Sequence, residues 1–224
     1  MKKHMKKKLA VLLSLVLVVS LALAGCKKKE EIPKPDKLVE AYYLMYTRGN
    51  TDEMVKSGTS EKKAKQSLKQ YKTNMKSAFM SAANAAGGTF ESEDADQVLD
   101  ALLHALAKLK YEVKTDEMDE KEGTATVILK SQSIDLRSIQ TKLMTNMQNA
   151  IKSGEIKQQS ELGPYILSEM AKLIQKSKPT EEMKETTVNM KLKTVKVNNK
   201  EVKRWIPENI NTFQTEMEKL FISQ

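Results

Sequence analysis

The sequence predicts an α+β fold. An antiparallel sheet of about four strands, made as two hairpins, packs against helices, with a long helical block at the N-terminal side and one helix at the C-terminal end. Three observations carry this. Apolar residues recur at helical spacing in the stretches before residue 110, between about 136 and 175, and after 207. Two stretches, near 111–129 and 188–206, alternate apolar and polar residues around a turn, the mark of a β-hairpin. The order is therefore helices, hairpin, helices, hairpin, helix, and the two halves share that order without a residue-level repeat.

Each element has its own local signals. Asp36, after Pro35, is expected to cap a helix that runs to Arg48 and stops at Gly49. A short turn of helix, Asp52 to Lys56, ends near Gly58. Ser60 then caps a long helix reaching Ala86, closed by Gly87-Gly88. Ser92 caps the next, with Glu93, Asp94 and Asp96 favoured by the helix dipole in its first turn. Its stripe is Val98, Leu102, Ala105 and Leu109, with Leu99 and Leu106 on the flank.

In the first hairpin Tyr111, Val113 and Thr115 alternate with polar residues, Asp119 to Gly123 turns, and Ala125, Val127 and Leu129 return. Leu136, Leu143, Met147 and Ala150 mark a helix stopped by Gly154. Leu162, Ile166 and Leu173 mark another, which Gly163-Pro164 either starts or kinks. The second hairpin runs through Val188, Met190 and Leu192, turns at Asn198-Asn199, and returns from Val202 to Ile206. Val195 and Val197 fall out of phase with Leu192, so a β-bulge is expected at Thr194-Val195. Pro207 begins the last helix, with the stripe Ile210, Phe213, Met217 and Leu220.

Composition narrows the function. The 224 residues carry a net charge of +9, from 38 Lys and Arg against 29 Asp and Glu, with one Cys and two His. One cysteine excludes a disulfide framework, and the scarcity of Cys and His excludes metal sites and catalytic dyads built from them. The first eight residues hold five lysines and no acid, and Leu9 to Ala24 is an uncharged run of sixteen. That run is slightly short of the ~20 apolar residues that span a bilayer, and it fits an export signal. An uncleaved N-terminal anchor is the other reading, and both place the rest of the chain outside the cytoplasm.

Leu23-Ala24-Gly25-Cys26 closes the run and resembles the lipobox of bacterial lipoproteins. The resemblance implies cleavage between Gly25 and Cys26, a diacylglycerol on the Cys26 thiol, and attachment to the outer face of the cell membrane. The expected organisation is a signal peptide at 1–25, a lipid anchor and charged tether at 26–36, and one α+β domain at 37–224. Setting aside the five lysines of 1–25 leaves 33 bases against 29 acids. Five bases and three acids of these lie in Lys27 to Lys37, so the domain itself is nearly neutral. The tether's ten residues 27–36 reach at most about 35 Å, which keeps the domain close to the bilayer.

A broader pattern accompanies the lipobox: a short charged tether, an opening helix with Tyr42, Tyr43 and Tyr46, an antiparallel sheet, and a strand ending Lys203-Arg204-Trp205-Ile206. The whole is similar to Gram-positive lipoproteins of unknown function whose domains look like the nuclear-transport-factor-2 or cystatin type, a curved sheet wrapped on helices. The helical block at about 135–177 is longer than the simple form of that fold carries. The family brings no catalytic residues to carry over.

Candidate chemistry is sparse. His104 lies opposite the apolar stripe of its helix between Asp100 and Lys108, an ordinary solvated helix contact. Ser60 and Lys63 have the Ser-x-x-Lys spacing of penicillin-interacting enzymes, but the partner motifs are missing and Ser60 stands where a helix cap belongs. There is no Gly-x-Gly phosphate loop, and Glu93-Asp94-Ala95-Asp96 lacks the glycine of a calcium loop. Thirteen methionines without supporting His or Cys are core filling, or at most an adaptable face for a lipid or peptide groove. No cofactor and no enzymatic activity is expected.

One local feature exceeds background. Lys62, Lys65, Lys69, Lys72 and Lys76 fall within about 80° of one another on the helix wheel. Beside them runs the apolar stripe of Ala64, Leu68, Tyr71, Met75 and Phe79, and only Glu61 is placed to neutralise the ladder. The acids of the following helix are expected to sit opposite residues near 78–85, out of its reach. The ladder is a candidate contact for anionic lipid, a wall polymer or an envelope protein; a solvated helix face is the plainer reading. Nucleic acid is disfavoured by the exported location. The expected role is non-catalytic binding at the envelope. The alternatives are a lipid or small-molecule carrier with a pocket between sheet and helices, or an enzyme with a carboxylate site that the sequence does not display.

Overall fold

In the computed structural model, which describes residues 32–85, 92–197 and 200–223, the helices are α1 (Pro35–Arg48), α2 (Asp52–Lys56), α3 (Glu61–Ala85), α4 (Ser92–Leu106), α5 (Leu136–Ser153), α6 (Gln159–Lys176) and α7 (Ile210–Phe221). The strands are β1 (Tyr111–Asp119), β2 (Thr124–Ser131), β3 (Ile134–Asp135), β4 (Lys184–Val197), β5 (Lys200–Pro207) and β6 (Ile222–Ser223). The expected signal segment with Gly25 and Cys26, the expected tether up to residue 31, and the stop and turn expected at Gly87-Gly88 and Asn198-Asn199 lie outside the described residues.

Helix α1 is central. Nine of its fourteen residues are buried, among them Val39, Ala41, Tyr42, Tyr43, Met45 and Tyr46, so it must be covered on several sides. It contacts β1, β2 and β5 on one side and α2, α3 and α4 on the others. Asp36 does not cap it. Pro35 already occupies the first turn, so Asp36 falls inside the helix, and its carboxylate accepts the Thr115 hydroxyl of β1 at 3.1 Å. Gly49, at φ 60°, ends it as expected.

Tyr43 joins this helix to the sheet. Its ring stacks on Tyr111 at 4.3 Å and meets Phe221 edge-on at 5.5 Å. Its hydroxyl pairs with the buried Ser131 Oγ at 2.8 Å. Ser131 Oγ itself donates to the Gln132 carbonyl, so the tyrosine is the donor. Burial pushes the Tyr43 hydroxyl up to about 12, keeping it a neutral donor. On the opposite flank Tyr42 meets Phe213 edge-on at 5.4 Å and Tyr46 meets Tyr71 edge-on at 4.8 Å, tying α1 to α7 and α3.

The four-stranded sheet has the order β1-β2-β4-β5, with every neighbouring pair antiparallel. The alternation read from sequence is the pleat itself: Ala125, Val127 and Leu129 of β2 are buried, and Ala125 and Val127 lie across from Met190 and Val188 of β4. Trp205 of β5 is buried opposite Leu192. The bulge predicted at Thr194-Val195 is not there, since β4 and β5 stay in register throughout. β4 leaves the core beyond Leu192, so Val195 has no buried face whose phase it must keep. The irregularity lies in β1, between Thr115 and Glu117, where Asp116 is the extra residue.

Between β2 and β4 the chain inserts α5 and α6, and the base of this insertion is stapled. Thr180 N–H donates to the Ser133 carbonyl at 2.8 Å, Ser133 N–H donates to Thr180 Oγ1 at 2.9 Å, and Ile134 bridges Pro179. β3 pairs in parallel with the C-terminal β6, through Ile134 with Ile222. Helix α6 lies along α4. It begins at Gln159 with a capping box to Glu161, so Pro164 sits inside it and does not start it. Its fully covered positions are Gly163, Leu167 and Ile174, one residue on from the predicted Leu162, Ile166 and Leu173, which are half-buried. The small Gly163 turns toward the neighbouring layer and rotates the stripe with it. Helix α7 is capped by Asn209, and Pro207 ends β5 as a buried residue instead of opening the helix. Phe213, Met217 and Leu220 are buried as predicted, while Ile210 is exposed.

Glu218 is the ionisable group that this packing perturbs most consequentially. Burial raises its carboxyl to about 7 against a small opposing bond from Gln214, and its charge reaches the buried Tyr46 and Tyr71 hydroxyls, which are raised chiefly by their own burial.

Two outcomes follow. In urea titrations, Tyr43→Phe should lose about 1 kcal/mol through the hydroxyl bond, and Tyr43→Ala about 3–5 kcal/mol by opening a cavity between helix and sheet. For Glu218, the folded chain holds a proton that the unfolded chain releases near 4.5. Stability should therefore be greatest below that pH and fall as pH rises to about 7. Glu218→Gln should remove that slope and gain about 1–2 kcal/mol at pH 8, allowing for the partial exposure of the group. Parallel slopes for the two proteins between pH 4.5 and 7 would refute this.

Candidate functional site

The lysine ladder folds as one face of α3. Ser60 Oγ accepts the Lys63 N–H at 3.4 Å, so the serine of the Ser-x-x-Lys pattern serves as a helix cap. Ala64, Ser67 and Tyr71 are buried and fix the helix rotation, while Leu68, Met75 and Phe79 pack half-buried against the core. Gly49 lies against Leu68 and Tyr46 against Tyr71, so α1 and α3 run in opposite directions where they touch. Lys62, Lys65 and Lys69 are exposed and Lys72 and Lys76 half-buried.

The ladder is partly neutralised at both ends. Lys65 Nζ meets Glu61 Oε1 at 2.5 Å, which raises the lysine and lowers the Glu61 carboxyl through their shared hydrogen bond. Lys76 Nζ meets Asp96 Oδ2 at 2.6 Å. This corrects the expectation that the acids of α4 stay out of reach: the flexible lysine stem bends across the α3–α4 contact to a carboxylate in the early turns of α4. Lys62, Lys69 and Lys72 form no ion pair among the described residues.

The other sequence candidates stand apart. His104 is exposed on α4. Met45, Met54, Met190 and Met217 are core residues, while Met144 is 54 % exposed. Among the described residues no group of three His, Cys, Asp or Glu is placed to hold a metal ion.

Two features escaped the sequence reading. A cleft of about 360 Å³ opens on the polar side of the sheet, lined by Glu117, Asp119, Thr126, Asn189, Lys191 and Glu208, with Lys191 and Glu208 paired at 2.6 Å. Its members come from four segments that only the strand register aligns. Arg204, from β5, donates through Nη1 to the Ser57 carbonyl at 2.9 Å and lies across Gly58 at φ 93°. A Cβ there would stand 2.0 Å from its guanidinium, so the glycine admits the clamp that ties α2 to the sheet.

No described helix is long and apolar enough to cross a membrane. No curated protein matches the sequence. Among solved structures, the chain is similar to ycdA from Bacillus subtilis, a protein named as a candidate lipoprotein, with a TM-score of 0.65 and 17 % identity over 85 % of this chain. The likeness is one of fold, and the alignment takes in 56 % of the ycdA chain, so this protein spans little more than half of its length. The family model for a domain of unknown function, DUF5105, matches residues 26–222. That match starts at Cys26 and takes in every described helix and the four-stranded sheet, and the chain belongs to the DUF5105 family.

Proposed function

We propose that this protein is a lipoprotein of the cell envelope, joined through Cys26 to the outer face of the cell membrane, and that it acts by binding, without catalysis. The observation that carries the reading is Leu23-Ala24-Gly25-Cys26 after a basic, then apolar, leader. The family match begins at the same cysteine, and the naming of ycdA points the same way. Two or three acyl chains on one residue, at ~0.8 kcal/mol per buried methylene, suffice for stable anchorage.

The likeness to nuclear-transport-factor-2 and cystatin folds is part of this proposal. A four-stranded antiparallel sheet laid across one central helix supports it, and the α5–α6 insertion is the departure. Binding is assigned to the surface, because Tyr43, Val127, Leu129, Val188 and Met190 fill the space between the sheet and the helices α1 and α7, each less than 5 % exposed. On that surface Lys62, Lys69 and Lys72, with Lys65 and Lys76 at the paired ends, offer a row of cations to anionic headgroups, a wall polymer or an acidic envelope protein.

Cys26→Ala should leave the leader uncleaved and abolish acylation, seen as loss of both the lipid mass and the processed form. Normal processing and retention of that variant would end the lipoprotein reading. Reversing Lys65, Lys69, Lys72 and Lys76 to Glu should weaken binding to a soluble glycerol-phosphate polymer by about tenfold or more at low salt, with a smaller effect at high salt. Equal binding by both proteins would leave the ladder a solvated face.

A further inference from the structure

Helix α5 presents more apolar surface than the fold covers. Its buried positions are Ile139, Leu143 and Ala150. On one flank the apolar arc continues through half-buried Met147 to Ile151 and Met144, which are 47 % and 54 % exposed. At about 100° per residue these two lie about 20° apart on the helix wheel, and at 1.5 Å per residue about 10 Å apart along the axis. The helix is built firmly: Asp135 caps its start by accepting the Ser138 N–H at 3.0 Å, and Gly154 stops it.

Its charge is of one sign. Arg137, Lys142 and Lys152 are its ionisable residues, there is no acid, and none of the three forms an ion pair among the described residues. On the helix wheel Arg137 falls within about 40° of the Met144–Ile151 strip, Lys152 about 80–100° round from it, and Lys142 on the far side. A second copy of the helix would bring like charges together across the apolar strip. An anionic bilayer takes up both features at once, accepting the apolar side chains at the headgroup–acyl boundary and the cations among the headgroups. The α3 ladder differs, for its neighbouring apolar residues are packed into the core and none is among the exposed large hydrophobics.

We infer that α5 is a membrane-seating helix, with Met144 and Ile151 entering the surface of an anionic bilayer and Arg137 and Lys152 holding its headgroups. This rests on the reading that the chain is held at a membrane. A tether of ten residues reaching at most about 35 Å holds the domain within that distance of the bilayer that anchors it. The α5–α6 insertion then has a use that the sheet and α1 do not supply.

The test uses the full chain carrying Met144→Cys, labelled with an environment-sensitive fluorophore and reconstituted into vesicles of phosphatidylglycerol or of phosphatidylcholine. In phosphatidylglycerol the emission should shift to the blue and lose about half its intensity to a quencher carried on the acyl chains. Phosphatidylcholine should give little of either, and adding Arg137→Glu with Lys152→Glu should abolish the response. A Met144→Cys label that stays in water on both lipids overturns the proposal, as does a Lys69→Cys label on α3 that is quenched more deeply than the one on α5. Mass analysis of Cys26 reads acylation separately. A free Cys26 thiol would refute the lipoprotein reading and leave the α5 result standing, since the depth signal is the difference between chains with and without Met144→Cys.

Discussion

The burial of α1 is the constraint from which the rest of the structure follows. A helix that buries Val39, Tyr43 and Tyr46 on one face and Ala41 and Met45 on the other cannot lie on a surface; it has to be enclosed. The sheet closes one side, and α2, α3 and α4 close the others. Tyr43 shows how tightly the layers are coupled: one side chain contributes a stack on Tyr111, an edge contact with Phe221 and a hydrogen bond to buried Ser131. These partners come from β1, α7 and β2, elements far apart in sequence, so the helix serves as the reference that positions them all.

A second coupling shapes the molecule beyond this core. The insertion between β2 and β4 is closed at its base by Ser133 and Thr180 and tied to the C-terminus by β3 and β6. Its outer helix is thus held rigidly while much of its apolar arc has no cover. In the core, shape and burial dominate; on α5 and α3, charge does. The two basic helices differ in kind, because α3 has already spent its apolar stripe on packing and α5 has not.

The legibility of these features follows physical range. Helix stops and strand alternation depend on single residues and their near neighbours, so Gly49, Gly154, the first hairpin and the stripe of α4 were readable directly. Features set by partners were not. Asp36 left the capping role because Pro35 holds the first turn and Thr115 waits across the gap. The expected bulge vanished from β4 because that strand leaves the core, whereas β1 acquired one. The candidate site was half legible: the lysines share a face because a helix has a fixed pitch, but the pairing of Lys76 with Asp96 depends on how two helices lean together.

By itself, then, the sequence determined the α+β class, the positions of nearly all elements and the basic face of α3, since each rests on periodicity or on local chemistry. The tertiary structure alone decided the strand order, the central place of α1, the raised Glu218 carboxyl, the Arg204 clamp over Gly58 and the uncovered strip on α5. Each of those depends on which distant surfaces meet and which are left facing water, and no local pattern encodes that.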